Sequence, residues 1–370
     1  MGVMGRSLKE NERRRALHPA HLERIDRDLR ARMFIESGYG EPFGVSDEQL
    51  GELVAGVRTH EQLVAECDVI LQPKPVLRDV AELRDGQVLW GWPHCVQDTE
   101  LTQLAIDRTL TLIAFEAMNH WGRDGSFSLH VFHKNNELAG YASVLHALQL
   151  TGSTGHYGPR LSAVVIGFGA TARGAVTALA ALGITDIDVL THRQVAAVAS
   201  PIHSARILNF GDGEVELADE SVPLAPFLGD HDIIVNCVLQ DTDAPLMFLD
   251  DDDLEHLTAG TVIVDVSCDA GMGFTWAKPT SFADPTFVVG HGVTYYGVDH
   301  SPSHLWASAT WEISEALLPF IRAVLAGPAG WDADPTVTRA IEIRDGVIQN
   351  PAILSFQNRS PEPPHRLTRA

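Results

Sequence analysis

Residues 162–172 read Ser-Ala-Val-Val-Ile-Gly-Phe-Gly-Ala-Thr-Ala, a β-branched run ending in a tight glycine turn, and an alanine-rich amphipathic stretch follows. Strand, turn and helix in that order form the context in which Gly-x-Gly-x-x-Ala holds a dinucleotide. Gly167 permits the turn, and Gly169 has no side chain to obstruct a pyrophosphate. Ala172 is small enough for the helix to close on the strand. Ala170 and Thr171 open the helix, whose unpaired N–H groups and dipole attract phosphate. Three earlier segments carry a second kind of chemistry, suited to a 2-oxo acid. They are Asn11-Glu12-Arg13-Arg14-Arg15-Ala16-Leu17, Gln72-Pro73-Lys74-Pro75 and Trp92-Pro93-His94-Cys95. Lys74 and His94 each follow an apolar strand-like run, so both stand where side chains project into a cleft.

The end of the second strand of a dinucleotide domain meets the adenine ribose, roughly 20 to 25 residues after the first glycine. An acidic residue there binds the ribose hydroxyls, whereas arginine accommodates a 2′-phosphate. Here the run Asp186-Ile187-Asp188-Val189-Leu190 ends in Thr191-His192-Arg193, with no carboxylate just past it. Thr191 can donate a hydrogen bond and Arg193 can make a charge-assisted contact to phosphate. The expected cofactor is therefore NADP(H), with NAD(H) the alternative.

The elements that must position these groups fall into two α/β sets. Strand-like runs at 32–36, 68–71, 87–90 and 110–115 precede a helical pattern over 135–150. From 161 onward, strands are expected at 163–166, 187–190, 232–238, 261–266, 287–289 and 293–297, in a doubly wound arrangement. Ser301-Pro302 has the form of a capped helix start, and apolar spacing continues that helix to about Ala326. The expected fold is α/β and two-lobed. A Rossmann dinucleotide-binding domain (141–301) is joined by long crossing helices to a second α/β domain (1–140 with 302–325). A C-terminal extension (326–370) carries a hairpin at Asp345-Gly346, and beyond Gln357 it is expected to be loose.

Charge narrows the partners. Lys and Arg number 27 against 49 Asp and Glu, a net charge of -22, which repels nucleic acid and anionic lipid. An anionic substrate must then be drawn in by local cations. The four cysteines show no Cys-x-x-Cys spacing and are expected to be buried, reduced thiols. No signal peptide and no membrane-spanning run is evident, so the cytoplasm is the expected compartment. The carboxylates at 250–253 read as a solvated helix N-terminus, and no metal is expected.

In series, these segments resemble the alanine dehydrogenase family, which includes the lysine-forming saccharopine dehydrogenases and N5-(carboxyethyl)ornithine synthase. Phe115-Glu116 and Val264-Asp265-Val266-Ser267-Cys268-Asp269-Ala270-Gly271 add to the match, which covers roughly residues 5 to 325. Lys134-Asn135-Asn136, Ala139-Gly140-Tyr141-Ala142-Ser143 and Asp269-Ala270-Gly271 look most like the carboxyethylornithine synthases. The resemblance implies that Arg14 holds a substrate carboxylate and that Lys74 binds the carboxylate or carbonyl oxygen. It makes His94 the general acid/base, Asp269 the group facing the nicotinamide, and Asn135, Asn136 and Val238 neighbours of the cofactor. It also implies a homo-oligomer. Asp299-His300-Ser301-Pro302 departs from the family, whose alanine dehydrogenases carry asparagine shortly before a proline. The implied reaction joins a 2-oxo acid such as pyruvate to the amino group of an amino acid, reduced by NADPH. The alternatives are an alanine dehydrogenase using ammonia and a non-catalytic NAD(P)-binding sensor.

Overall fold

A computed structural model describes residues 1–192, 205–240 and 244–368. The chain divides into two compact units, Met1–His133 with Trp306–Ala370, and Lys134–Leu305.

In the first unit, six parallel strands lie in the order Thr111–Ala114, Val88–Gly91, Val69–Leu71, Gly2–Val3, Phe34–Glu36, Gly56–Arg58. Chain order reverses between Gly2–Val3 and Val69–Leu71, which hydrogen-bond in parallel register. Loops leaving the carboxyl ends at such a reversal form a binding crevice in a doubly wound sheet. The loop after Gly2–Val3 carries Arg14, and the loop after Val69–Leu71 carries Lys74. Side chains alternate across the sheet. Val69, Leu71, Val88 and Trp90 enter one core, while Ile70, Leu89 and Leu112 enter the other. Both faces are therefore buried, as continuous apolar strands require.

The hairpin expected at Asp345-Gly346 is present. Ile341–Arg344 and Val347–Ile348 pair antiparallel, and the first of them adds to Thr111–Ala114. Asp345 and Gly346 take φ values of 51° and 76°, the left-handed pair that suits a two-residue hairpin turn. The chain beyond Gln357 is not loose. Gln357 donates to the carbonyls of Cys95 and Val96, and Arg359 reaches Gln357, Gln103 and Thr99. Polar side chains bonding to backbone fasten this segment, which a reading of its Pro- and Arg-rich composition does not register.

The helix expected from 302 to 326 is also interrupted. Ser301–Leu305 is a 3-10 turn, Trp306–Leu317 is α-helical, and Pro319 breaks the continuation into Leu318–Phe320 and Ile321–Leu325. Ser301 is not seen as a cap. Its hydroxyl receives a hydrogen bond from Ser143 and donates to the carbonyl of Ala139.

The second unit repeats the doubly wound order. Its parallel strands run Arg206–Gly211, Asp186–Thr191, Ser162–Ile166, Ile233–Asn236, Val262–Asp265, Val293–Tyr296, with short antiparallel strands at both edges. The reversal falls between Ser162–Ile166 and Ile233–Asn236. The glycine turn leaves the first of these and runs into the helix Ala170–Ala181. That helix crosses the helix His133–Thr151 on two glycines. A Cβ on Gly174 would overlap the carbonyl of Glu137, and one on Gly140 would overlap that of Thr171.

Gly174→Ala is therefore expected to destabilise the chain by ~1–3 kcal/mol through overpacking, although alanine is the better helix former. Gly51→Ala is the control. It lies in the helix Asp47–Leu53, where an added Cβ meets nothing, and should be neutral or stabilising by up to ~1 kcal/mol. Urea unfolding of the two variants checks the contrast.

Candidate active site

Lys74 and His94 come together in the first unit. Their strands, Val69–Leu71 and Val88–Gly91, are paired in register, so the segments beyond them emerge side by side. Lys74 Nζ lies 2.6 Å from His94 Nε2. With lysine as the ammonium donor, the imidazole accepts at Nε2 and carries its own proton at Nδ1. His94 takes a left-handed φ of 51°, unusual for a side chain of its size, and its backbone N–H donates to Glu116 Oε1 at 2.7 Å. That carboxylate, just past the next strand, holds the turn.

Arg14 is only 5% exposed. Glu12 binds it through Nε at 2.8 Å and Nη2 at 2.5 Å, and its guanidinium lies over Trp92 at 5.4 Å. This two-point pair fixes the guanidinium plane. Trp92 stands two residues before His94, so the arginine and the lysine–histidine pair share one end of the sheet.

Sequence reasoning gave Glu116 no role and missed Glu342, which lies on the hairpin strand Ile341–Arg344. Burial pushes the Glu116 carboxyl up, and nearby Glu342 adds to the effect. Burial likewise raises Glu342. Each has a buried Oε2 that makes no hydrogen bond. A proton retained on Glu116 relieves what would otherwise be two neighbouring buried anions.

The second unit holds the glycine turn, whose geometry can be compared with what a dinucleotide needs. Gly167 has a φ of 116°, and a Cβ there would sit 3.0 Å from the carbonyl oxygen of Cys237 on the neighbouring strand end. A Cβ on Gly169 would meet nothing, so the space above the helix start is open. Gly169 is the N-cap of the helix Ala170–Ala181 and gives it no side-chain cap. Ala170 and Thr171 form its first turn, and Ala172 is fully buried against the sheet. These features fit a bound pyrophosphate. Asn135 is buried and Asn136 half-buried on the first turn of His133–Thr151. Thr191 is buried at the end of its strand, and the His192 ring packs on Phe210 at 3.9 Å. Arg193 lies outside the described residues. Asp188, the buried carboxylate of the same strand, is held by Arg206 at 2.7 and 2.6 Å and by His231 at 3.3 Å.

Asp269 and Val238 are placed by a network that the sequence did not disclose. Asp265 is fully buried and accepts from Asn236 Nδ2 at 2.9 Å, Cys268 N at 2.9 Å and Tyr295 Oη at 2.7 Å. The Cys268 contact holds that residue at a left-handed φ of 45°, immediately before Asp269. Asn236 Oδ1 receives the N–H of Val238 at 3.1 Å, and the Val238 carbonyl accepts from Ser267 Oγ at 2.5 Å. One carboxylate thus organises two loops at neighbouring strand ends. Burial pulls the Asp269 carboxyl upward. In the 250–253 run, Asp250 caps its own turn by accepting from the N–H groups of Asp252 and Asp253. All four cysteines are buried thiols outside any disulfide. Among the described residues, no helix is long and apolar enough to cross a membrane.

Two doubly wound sheets, one bearing a glycine dinucleotide turn and the other a cation–imidazole pair at its strand ends, define a two-domain dinucleotide-dependent enzyme. Residues 5–139 match the N-terminal domain of the alanine dehydrogenase/PNT family and residues 150–351 its C-terminal domain, and the chain belongs to that family. It is accordingly a nicotinamide-dinucleotide oxidoreductase. It is 24% identical over 367 residues to the alanine dehydrogenase of Mycolicibacterium smegmatis, covering 94% of each chain. It is also 24% identical over 316 residues to the N(5)-(carboxyethyl)ornithine synthase of Clostridium botulinum, covering 83% of this chain and 89% of the other. A solved L-alanine dehydrogenase superposes with a TM-score of 0.75 at 20% identity, covering 96% of this chain and 99% of the other.

The Asp265 network has a pH signature. Burial, opposed by the Cys268, Tyr295 and Asn236 hydrogen bonds, pushes its carboxyl up to about 6. A carboxyl whose native value is raised binds more protons folded than unfolded, so its contribution is largest in acid and is lost as pH rises through 6. Relative to Asp265→Asn, the parent chain should lose up to ~3 kcal/mol of stability between about pH 4 and pH 7. Denaturant titrations of both proteins at the two pH values measure it. A constant difference between them would refute the assignment.

Proposed function

We propose that the chain is an NADPH-dependent reductase that joins a 2-oxo acid to the amino group of an amino acid. The observation that carries this reading is the 2.6 Å contact between Lys74 and His94, on the sheet end that also carries Arg14. In this reading Arg14 receives the substrate carboxylate, its plane already set by Glu12. Lys74 donates to the carboxylate or carbonyl oxygen and draws electron density from the carbon under attack. Lys74 delivers a proton to His94 Nε2, and His94 passes that proton to the departing oxygen as the carbinolamine loses water. Asp269 orients the incoming amine. The balance is one carbonyl and one ammonium group in, with water and a secondary amine out. A bound reduced nicotinamide supplies the hydride, held by Gly167, Gly169 and the first turn of the helix Ala170–Ala181.

The preference for NADPH rests on the strand end at Thr191 and His192. The sequence places no carboxylate immediately after it, and Asp188 further back is already committed to Arg206. The amino-acid donor rests on the segments that look like carboxyethylornithine synthases and on Asp299-His300 before Ser301-Pro302. His300 Nδ1 pairs with Asp299 Oδ1 at 2.9 Å, so an acid–imidazole pair stands where alanine dehydrogenases carry an asparagine. A second reading, reductive amination of pyruvate by ammonia with NAD(H), is favoured by alanine dehydrogenase relatives of equal identity.

A screen of oxo acids against ammonia and amino acids, followed by NADPH and NADH oxidation, separates the two. The proposal expects a product whose mass equals oxo acid plus amino acid less one oxygen, formed faster with NADPH. Formation of only the simple amino acid from ammonia selects the second reading. His94→Ala should lower turnover by roughly 10²–10⁴ with NADPH binding retained. Arg14→Ala should act mainly on the oxo-acid KM, and the same assay under varied substrate resolves that split.

A further inference from the structure

Glu342 stands at an irregularity of the first sheet. The strand Ile341–Arg344 pairs antiparallel with Thr111–Ala114, with Ile341 opposite Ile113 but Ile343 opposite Leu112. One extra residue, Glu342, therefore fits between two successive pairs, which is a β-bulge. Its effect shows in the cores. Ile341 enters one and Ile343 the other, although alternate residues of a regular strand share a face. Bulges re-aim side chains beside active sites. This one brings a residue that is 3% exposed into the neighbourhood of Glu116, just past the end of the partner strand.

The surroundings do not explain an acid at this position as a stabilising group. Glu342 Oε1 accepts from Asn350 Nδ2 at 3.1 Å, a neutral donor, and Oε2 is buried with no hydrogen bond. Glutamine would keep the Asn350 bond and avoid the cost of a buried charge. What glutamine would not supply is that charge, and its neighbour is Glu116. Glu116 Oε1 accepts from the His94 N–H at 2.7 Å and lies 3.9 Å from His94 Nδ1, while its Oε2 is buried and makes no hydrogen bond. The other titratable groups around the pair are Lys74, the Cys95 thiol and His130, whose Nε2 donates to the Glu116 carbonyl at 3.2 Å. Asn350 and Cys95 favour the Glu342 anion, so Glu116 is the member that keeps a proton, up to about 8. All of these residues belong to the first unit.

We propose that Glu342 is a positioning residue that keeps His94 neutral by holding a proton on Glu116. A neutral Glu116 adds no anionic charge beside Nδ1. The positive charge of the Lys74–His94 contact then stays on lysine, and Nε2 remains ready to receive its proton. Were Glu116 ionised, 3.9 Å from Nδ1, it would stabilise the imidazolium and draw that proton to histidine before substrate arrives. The role rests on His94 being the proton donor of the proposed reaction, but the charge at His94 is measurable without turnover.

The test is a pH titration of the full chain by histidine-selective NMR, with the His94 signal assigned by its loss in His94→Asn. Glu342→Gln should raise the pH at which His94 charges by about 0.5 unit or more. In a Glu116→Gln background the same substitution should leave that pH unchanged or lower it, because losing a nearby anion directly only disfavours the imidazolium. No rise in Glu342→Gln overturns the proposal. A rise in both backgrounds overturns it as well, since it marks a structural effect. If Glu342→Gln fails to fold, infrared spectra of the parent decide. The band of a protonated carboxyl should be present at pH 7 and lost in Glu116→Gln, and its absence from the parent or persistence in the variant overturns the proposal. Where the reaction runs, the pH profile of kcat/KM should move with the NMR titration. Absence of turnover with every oxo acid and amine counts against the proposed reaction, while the His94 titration judges the role of Glu342.

Discussion

The dinucleotide cradle depends on how closely two helices can approach. His133–Thr151 and Ala170–Ala181 cross on Gly140 and Gly174, each pressed against a backbone carbonyl of the other helix. Glycine inside a helix costs roughly 1 kcal/mol against alanine, and this crossing uses two. In return the N-terminus of Ala170–Ala181 is held at a fixed depth behind the sheet. Its uncapped N–H groups then meet the opening that Gly167 and Gly169 leave. The same crossing positions Asn135 and Asn136, which begin the partner helix. Loosening it would move the glycine turn and the asparagine turn together.

A second constraint acts on charge. The first unit gathers a guanidinium, an ammonium, an imidazole and two buried carboxyls around one end of its sheet. Each burial has a compensating partner. Glu12 answers Arg14, and the half-buried Lys74 donates to His94. Glu116 and Glu342 limit their mutual repulsion by holding on to a proton. The second unit solves the same problem without a cation, since Asp265 is met by three neutral donors. That choice leaves its carboxyl readily protonated. It also ties the Val238 and Asp269 loops to a single group, so that their positions vary together.

Much of this organisation was legible in the sequence because it follows from short-range rules. The fingerprint strand and helix, the inner strands of both sheets and the Asp345-Gly346 hairpin each carry periodicity or turn chemistry of their own. Lys74 and His94 were legible as strand-end residues, although their contact follows from the parallel pairing of their strands. What was not legible depends on distant partners. Gly2–Val3 is too short to show a pattern, and it becomes a central strand only because Phe34–Glu36 and Val69–Leu71 flank it. Gly140 and Gly174 look like weak points of their helices until the two are seen to meet. Glu342 lies 226 positions after Glu116 and reaches its neighbourhood only because the hairpin adds to Thr111–Ala114. The segment beyond Gln357 reads as loose because side-chain bonds to backbone leave no periodic trace.

The strand at the reversal of the first sheet is also followed by a loop that sends consecutive arginines in different directions. Gly2–Val3 is followed by a long excursion, from Met4 to the 3-10 turn Pro19–Arg24, with no regular element to dictate its side-chain directions. Within it, direction is set residue by residue by ring and carboxylate partners: Trp306 for Arg13, Glu12 and Trp92 for Arg14, Tyr39 for Arg15. Consecutive arginines would repel one another if they shared a side. Splitting them relieves that repulsion and presents Arg14 and the Arg13–Arg15 pair to different surroundings. In so acidic a chain, long-range attraction for an anion is absent, and binding must come from contacts at close range. Guanidinium groups held in place by aromatic rings are suited to that, because their donors are aligned before the ligand arrives.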